Sequence, residues 1–117
     1  MIPHITISTP KQKETVEFYQ WLFDLPIARK IEMPGGEIIF LGEEDPLFEV
    51  IEDSKAEKIT AKALSIGFAV GNLDEKLAML DDKGIPHSDI VSPNPSIRFA
   101  FFEDLNGCNI QLVESVH

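Results

Sequence analysis

The sequence predicts an α+β fold built from two copies of one βαβββ unit. Three observations predict it. The order strand, helix, strand, strand, strand occurs twice along the 117 residues. Each helix opens on a cap-like pattern and closes into a proline-containing turn. Landmarks in the two copies also keep a steady offset: Pro26 and Pro86 are 60 apart, His4 and Ser65 are 61 apart, and Glu49 and Gln111 are 62 apart. Unrelated segments rarely hold one period over three landmarks. One domain over 1–117 is expected, with module one at about 1–53, a linker at about 54–62 and module two at about 63–117.

The elements follow from local pattern. His4 to Ser8 alternates, with Ile5 and Ile7 on one side and His4, Thr6 and Ser8 on the other, as in a half-buried strand. Thr9-Pro10-Lys11-Gln12 reads as a helix start, with Thr9 as N-cap and Gln12 closing a capping box. Val16, Tyr19 and Phe23 then share one face, and the helix is expected to end near Phe23. Three strand-like runs follow at Ile27–Met33, Glu37–Leu41 and Leu47–Glu52, punctuated by Pro34-Gly35-Gly36 and by Gly42 to Pro46. The polar stretch from Asp53 to Lys62 reads as the linker.

In the second copy, Leu64–Val70 is a strand and Asn72 to Glu75 a second capping box. Leu73, Leu77 and Leu80 mark a helical face that Gly84 ends. A weaker strand near His87–Val91 precedes strong ones at Ile97–Asp104 and Asn109–Glu114. Asn106-Gly107 suggests a two-residue hairpin between the last two. That turn pairs Leu105 with Cys108, sets Phe102 opposite Gln111 and sets Arg98 opposite Ser115.

Composition narrows the classes of function. Apolar residues make up 44%, as in a globular domain. The formal charge of −10 repels phosphate backbones and anionic lipid, so neither nucleic acid nor membrane is an expected partner. No apolar run approaches the roughly 20 residues that span a bilayer. Residues 1–10 show no basic-then-apolar leader pattern. The single cysteine, Cys108, forms no intrachain disulfide and fits a reducing compartment, so a cytoplasmic location is the expectation.

His4-Ile5-Thr6-Ile7, the run from Phe18-Tyr19 to Leu25-Pro26, Ser65 to Asp74 and Phe102 to Leu112 occur in an order and spacing that resemble the vicinal oxygen chelate superfamily. This superfamily contains glyoxalases, bleomycin-resistance proteins and extradiol dioxygenases. The match covers nearly the whole chain, and its specificity lies in the order of the motifs. The resemblance implies a curled mixed sheet, each module forming half a cup with its helix outside, the halves meeting within one chain or across a swapped homodimer. It also implies a small-molecule ligand.

By the same resemblance, metal ligands come from the first and last strand of each module. Here those positions are His4, Glu49, Ser65 and Gln111. Imidazole and carboxylate suit Zn, Ni, Co or Mn. Gln111 is a weak oxygen donor and Ser65 a poor one, so His4, Glu49 and Gln111 are the candidate ligands of a divalent metal, and a site with no metal is the alternative. Glu49, between Leu47 and Ile51 on one strand face, must be paired, neutralised or metal-bound. It is the candidate catalytic proton carrier; otherwise it is a buried carboxylate bonded to His4 or Thr6. Thr6, Ser65, Gly67, Arg98 and Phe102 are expected to line the pocket. Ser65, Gly67 and Ala69 free volume there. Arg98 would face an anionic group, or else pair with a surface acid. Trp21, Phe99 and Phe101 are assigned to the core, and His87 and His117 to the surface.

Two functions fit. One is a glyoxalase-like lyase or isomerase acting on a vicinal-oxygen substrate, with an iron dioxygenase disfavoured because Ser65 and Gln111 replace two of its three ligands. The other is a metal-free module that binds or sequesters a drug or antibiotic.

Overall fold

The computed structural model describes residues 1–115, and His117 lies outside them. The chain divides into two compact units, Met1–Lys58 and a second from Ile59 onward. The division falls inside the polar stretch that reads as a linker.

The first unit runs β1 (His4–Thr9), α1 (Gln12–Phe23), β2 (Ile27–Met33), β3 (Gly36–Leu41) and β4 (Leu47–Glu52). Its sheet has the order β1-β4-β3-β2, with β1 parallel to β4 and the other pairs antiparallel. Side chains alternate, so one face carries Ile5, Ile7, Phe48 and Val50 and the other His4, Thr6, Ser8 and Glu49. The apolar face meets α1, whose Val16, Tyr19 and Leu22 are buried. The Tyr19 ring sits 4.6 Å from that of Phe48. Full burial of side chains such as Leu22 and Val50 stabilises the unit by about 1.5–3 kcal/mol each. The face bearing His4, Thr6 and Glu49 is the one turned away from α1.

Helix α1 starts two residues later than the sequence suggests. Lys11, not Thr9, is the N-cap, and it makes no side-chain cap bond. The Thr9 hydroxyl instead accepts from the Lys11 amide at 2.9 Å. Gln12 does not close a capping box, because its amide group crosses to the sheet and donates to the carbonyls of Glu37 and Val50 at 2.6 and 3.0 Å. The free amide of Gln12 is taken by the Glu52 carboxylate at 3.2 Å.

The second unit repeats the plan with β5 (Ser65–Ala69), α2 (Leu73–Asp82), β6 (Val91–Asn94), β7 (Ile97–Glu103) and β8 (Asn109–Ser115), in the sheet order β5-β8-β7-β6. Here the capping pattern holds: the Asn72 side chain accepts from the Glu75 amide at 3.0 Å. Leu73, Leu77 and Leu80 of α2 are buried, as are Ala100, Phe102, Ile110 and Leu112 of the sheet. The weak strand lies later than expected, at Val91–Asn94, with an isolated bridge from His87 to Phe102 before it.

The β7–β8 hairpin departs from its expected register by one residue. Asp104 pairs with Cys108 through its amide at 2.9 Å, leaving a three-residue loop, Leu105-Asn106-Gly107. The Asp104 carboxylate accepts from the amides of Asn106 and Cys108 at 2.9 and 2.8 Å, and Gly107 takes the left-handed conformation at φ 86°. A first turn closed by a left-handed glycine is the common three-residue alternative to the two-residue loop. A slip of one residue exchanges the two faces of a strand. Phe102 is therefore opposite Ile110, Phe101 opposite Gln111 and Arg98 opposite Glu114.

Candidate functional site

The first sheet assembles one continuous row across its four strands. Register places Thr6 beside Glu49, Glu49 beside Phe40, and Phe40 beside Arg29. His4, two residues before Thr6, shares that face. Its Nε2 lies 3.8 Å from Glu49 Oε1, and the same oxygen accepts a short hydrogen bond from the Thr6 hydroxyl. The His4 ring meets the Phe40 ring edge-on, with centroids 6.0 Å apart. The Glu49 carboxylate is thus buried between Leu47 and Ile51 on its strand face, and Thr6 and His4 answer the cost of putting it there. His4 itself stays open, its side chain 43% exposed. This is the arrangement the sequence offered as the alternative to a metal, and it also leaves both groups placed for one.

Phe40 and Arg29 were not legible as site residues. Strand β2 pairs Ile27 with Leu41 and Arg29 with Phe40, so Ala28 is an extra residue. Without that bulge Arg29 would fall on the α1 side. With it, the guanidinium carbon lies 4.4 Å from the Phe40 ring centre. Bulges re-aim side chains in this way, and single-sequence alternation does not show where they fall.

The second sheet carries the corresponding row with different chemistry. Gly67 lies beside Gln111, and Gln111 beside Phe101. A Cβ at Gly67 would come 3.3 Å from the Gln111 side-chain oxygen, so the glycine leaves the space that this amide uses. Ser65 and Gly67 are exposed on that face and Gln111 is half-buried. Arg98 and Phe102 are not on it. Phe102 is buried among Ile110 and Leu112 on the α2 side, while Phe99 and Phe101 take the Gln111 face. Arg98 bonds Glu114 at 3.1 Å and Asp74 of α2 at 3.3 Å, the acid-paired role. The cause of both corrections is the three-residue hairpin loop.

Two further groups are structural. The His87 ring faces acceptors on both sides, the Ser88 carbonyl at 2.7 Å and the Asp81 carboxylate at 2.8 Å, so it is less superficial than expected. The Ser88 bond raises its pKa above 6.5, burial opposes the rise, and Asp81 and Asp89 add to it. Burial first, and Asp104 second, push the Cys108 thiol up to about 11, so it stays protonated and is no nucleophile.

The donor set fits a metal in part. The 3.8 Å between His4 Nε2 and Glu49 Oε1 is less than the roughly 4.2 Å sum of Zn–N and Zn–O bond lengths, so one ion can reach both. Among the described residues no three His, Cys, Asp or Glu side chains gather as a metal-binding group.

This two-sheet plan, with a His/Glu pair at the first-strand and last-strand positions of one module, has a family. A profile of the Glyoxalase/Bleomycin resistance protein/Dioxygenase superfamily matches residues 1–112, and the chain belongs to that superfamily. Among solved structures it is similar to the trypanothione-dependent glyoxalase I of Leishmania major, with TM-score 0.80 and 19% identity over 97% of this chain and 86% of that one. It is also similar to the fosfomycin resistance protein FosX of Listeria monocytogenes, with TM-score 0.73 and 17% identity over 97% and 91% of the two chains. A third likeness is to TnmS3, an antibiotic-binding protein of Streptomyces sp. CB03234, with TM-score 0.72 and 15% identity over 98% and 95%. At these identities the likeness establishes the shared fold. Among curated protein sequences none is significantly similar to this chain. No helix among the described residues is long and apolar enough to cross a membrane.

Proposed function

We propose that this protein binds a small molecule against the open face of its first sheet and that His4 and Glu49 are its reactive pair, acting in a glyoxalase-like lyase or isomerase reaction on a vicinal-oxygen substrate. The observation that carries this reading is a buried carboxylate held on an open strand face by Thr6 and faced by an exposed imidazole. Thr6 fixes the orientation of Glu49 and leaves it able to take up or release a proton from a bound molecule. His4 and Glu49 are the two ligands proposed for Zn, Ni, Co or Mn, and water and the substrate would complete the shell. Gln111, the register counterpart of Glu49 in the second unit, offers only a neutral amide oxygen, a weak donor. When bound, such an ion supplies Lewis-acid polarisation of the substrate oxygens. Ser65 and Gly67 are proposed to make room for ligand. A homodimer belongs to the same reading, supported by β2, a sheet edge exposed along its whole length with Ile27, Ile31 and Met33 outward.

The test is metal content after purification without chelator, then titration of Zn, Ni and Mn into the protein and a His4→Ala variant. Binding tighter than about 100 μM, or about −5.5 kcal/mol, that weakens in the variant supports the reading. Weaker binding of all three ions ends it.

A second reading has its own support. With no third strong donor among the described residues, and a carboxylate already satisfied by Thr6, the same face suits metal-free binding or sequestration of a drug or antibiotic. Thermal shift with small cations and aromatic compounds tests it, and no stabilisation by any of them counts against it.

A further inference from the structure

We propose that Arg29 is the anchor for a small oxyanion group, a carboxylate or a phosphonate, on the ligand that occupies the first sheet's open face. The inference rests on the binding reading above and names the ligand's charge.

Three observations converge on Arg29. The first is its freedom. The chain has two arginines and 20 acidic residues, and a surface so acidic normally pairs its cations. Arg98 is committed to Asp74 and Glu114. Among the described residues no carboxylate pairs with Arg29, and its contact is the face of Phe40.

The second observation is the ring contact, with the Arg29 guanidinium carbon over the Phe40 ring, 4.4 Å from its centre. A guanidinium stacked on a ring keeps its charge and its in-plane N–H fork, while the ring limits its rotamers. A fork held in this way loses less entropy when it closes on a planar or tetrahedral oxyanion. An ammonium in the same place would be a point charge without the fork.

The third is position. The bulge at Ala28 brings Arg29 onto the face that holds His4, Thr6 and Glu49. Arg29 stands two strands from Glu49 in the same row, roughly 10 Å between backbones at the usual strand spacing. The Phe40 ring lies between them. A ligand with an anionic end on Arg29 and its oxygen-bearing centre near His4 and Glu49 matches that order. The anionic end also offsets repulsion from the net charge by meeting the one cation in the row.

NMR titration of the whole protein with benzoate, methylphosphonate and neutral benzamide tests this. Benzoate or methylphosphonate, whichever oxyanion the fork prefers, shifts the Arg29 Nε–Hε signal together with the His4 ring signals. Arg29→Met, which keeps the apolar stem over Phe40, loses about tenfold in affinity, or about 1.4 kcal/mol, with an unchanged thermal midpoint. Arg29→Lys falls between the two. Equal anion affinity in Arg29→Met, shifts confined to lysine signals, or no shift with either anion overturns the proposal. Benzamide shifting His4 and Thr6 while Arg29→Met binds the anions as the parent does removes the anchor and leaves the binding reading standing. Arg29-dependent anion binding in a protein that fails the metal titration supports the anchor and removes only the metal.

Discussion

The two sheets of this protein are the same scaffold carrying different chemistry. Each last strand carries, at or next to its final residue, a glutamate that accepts from the first amide of its own helix: Glu52 from Gln12 at 3.2 Å, and Glu114 from Leu73 at 2.7 Å. Each third strand places a phenylalanine beside the key position of the fourth, Phe40 beside Glu49 and Phe101 beside Gln111. On the open faces the rows diverge. His4, Thr6 and Glu49 in the first unit correspond to Ser65, Gly67 and Gln111 in the second. Where the first unit has a donor–carboxylate pair, the second has a glycine with an amide over it. The helix-facing residues are held by packing and capping in both copies, whereas the opposite faces carry different side chains at matching register positions.

The largest expected effect breaks or confirms the face assignment in the second unit. Phe102→Ala should destabilise by about 3–5 kcal/mol, and Phe101→Ala by less than half of that, measured by denaturant unfolding. The reverse order would restore the two-residue hairpin register and return Phe102 to the open face.

A smaller effect compares the twin caps. Glu114→Gln should cost about 1–2 kcal/mol, because a part-buried cap and the Arg98 bridge weaken together. Glu52→Gln, at a longer and exposed bond, should cost about 0.5 kcal/mol or less. Equal costs would mean that the shared geometry does not carry the difference in burial.

The smallest effect belongs to His87, which has no counterpart in the first unit. Its two acceptors favour the doubly protonated ring, and its folded pKa lies above 6.5. The stability it contributes is therefore fully present below pH 6.5 and is lost as pH rises through the folded value. His87→Ala should destabilise more at about pH 5.5 than at about pH 8.5. A pH-independent difference would contradict this protonation state.

Much of this was legible in the sequence for a physical reason. Alternation along His4–Ser8 and Leu47–Glu52 fixed which side chains share a face, because a buried helix-facing side must be apolar. Asn72 to Glu75 declared its cap through residue type. The hairpin register was not legible, since Asn106-Gly107 suits both a two-residue and a three-residue loop, and Asp104's bonds to Asn106 and Cys108 decide between them. Thr9 failed as a cap because the Gln12 backbone amide goes to the Glu52 carboxylate while the Thr9 hydroxyl takes the Lys11 amide. Arg29 was invisible because one extra residue, Ala28, reverses strand parity without any mark in composition.

The central claim is that the reactive pair lies in the first unit, at His4 and Glu49. Calorimetric zinc titration of the parent, His4→Ala and Gln111→Ala tests it most directly. The account predicts parent binding tighter than about 100 μM, a loss of at least about tenfold in His4→Ala, and a change of no more than about threefold in Gln111→Ala. An unchanged affinity in His4→Ala, or an equal loss in Gln111→Ala, would contradict it.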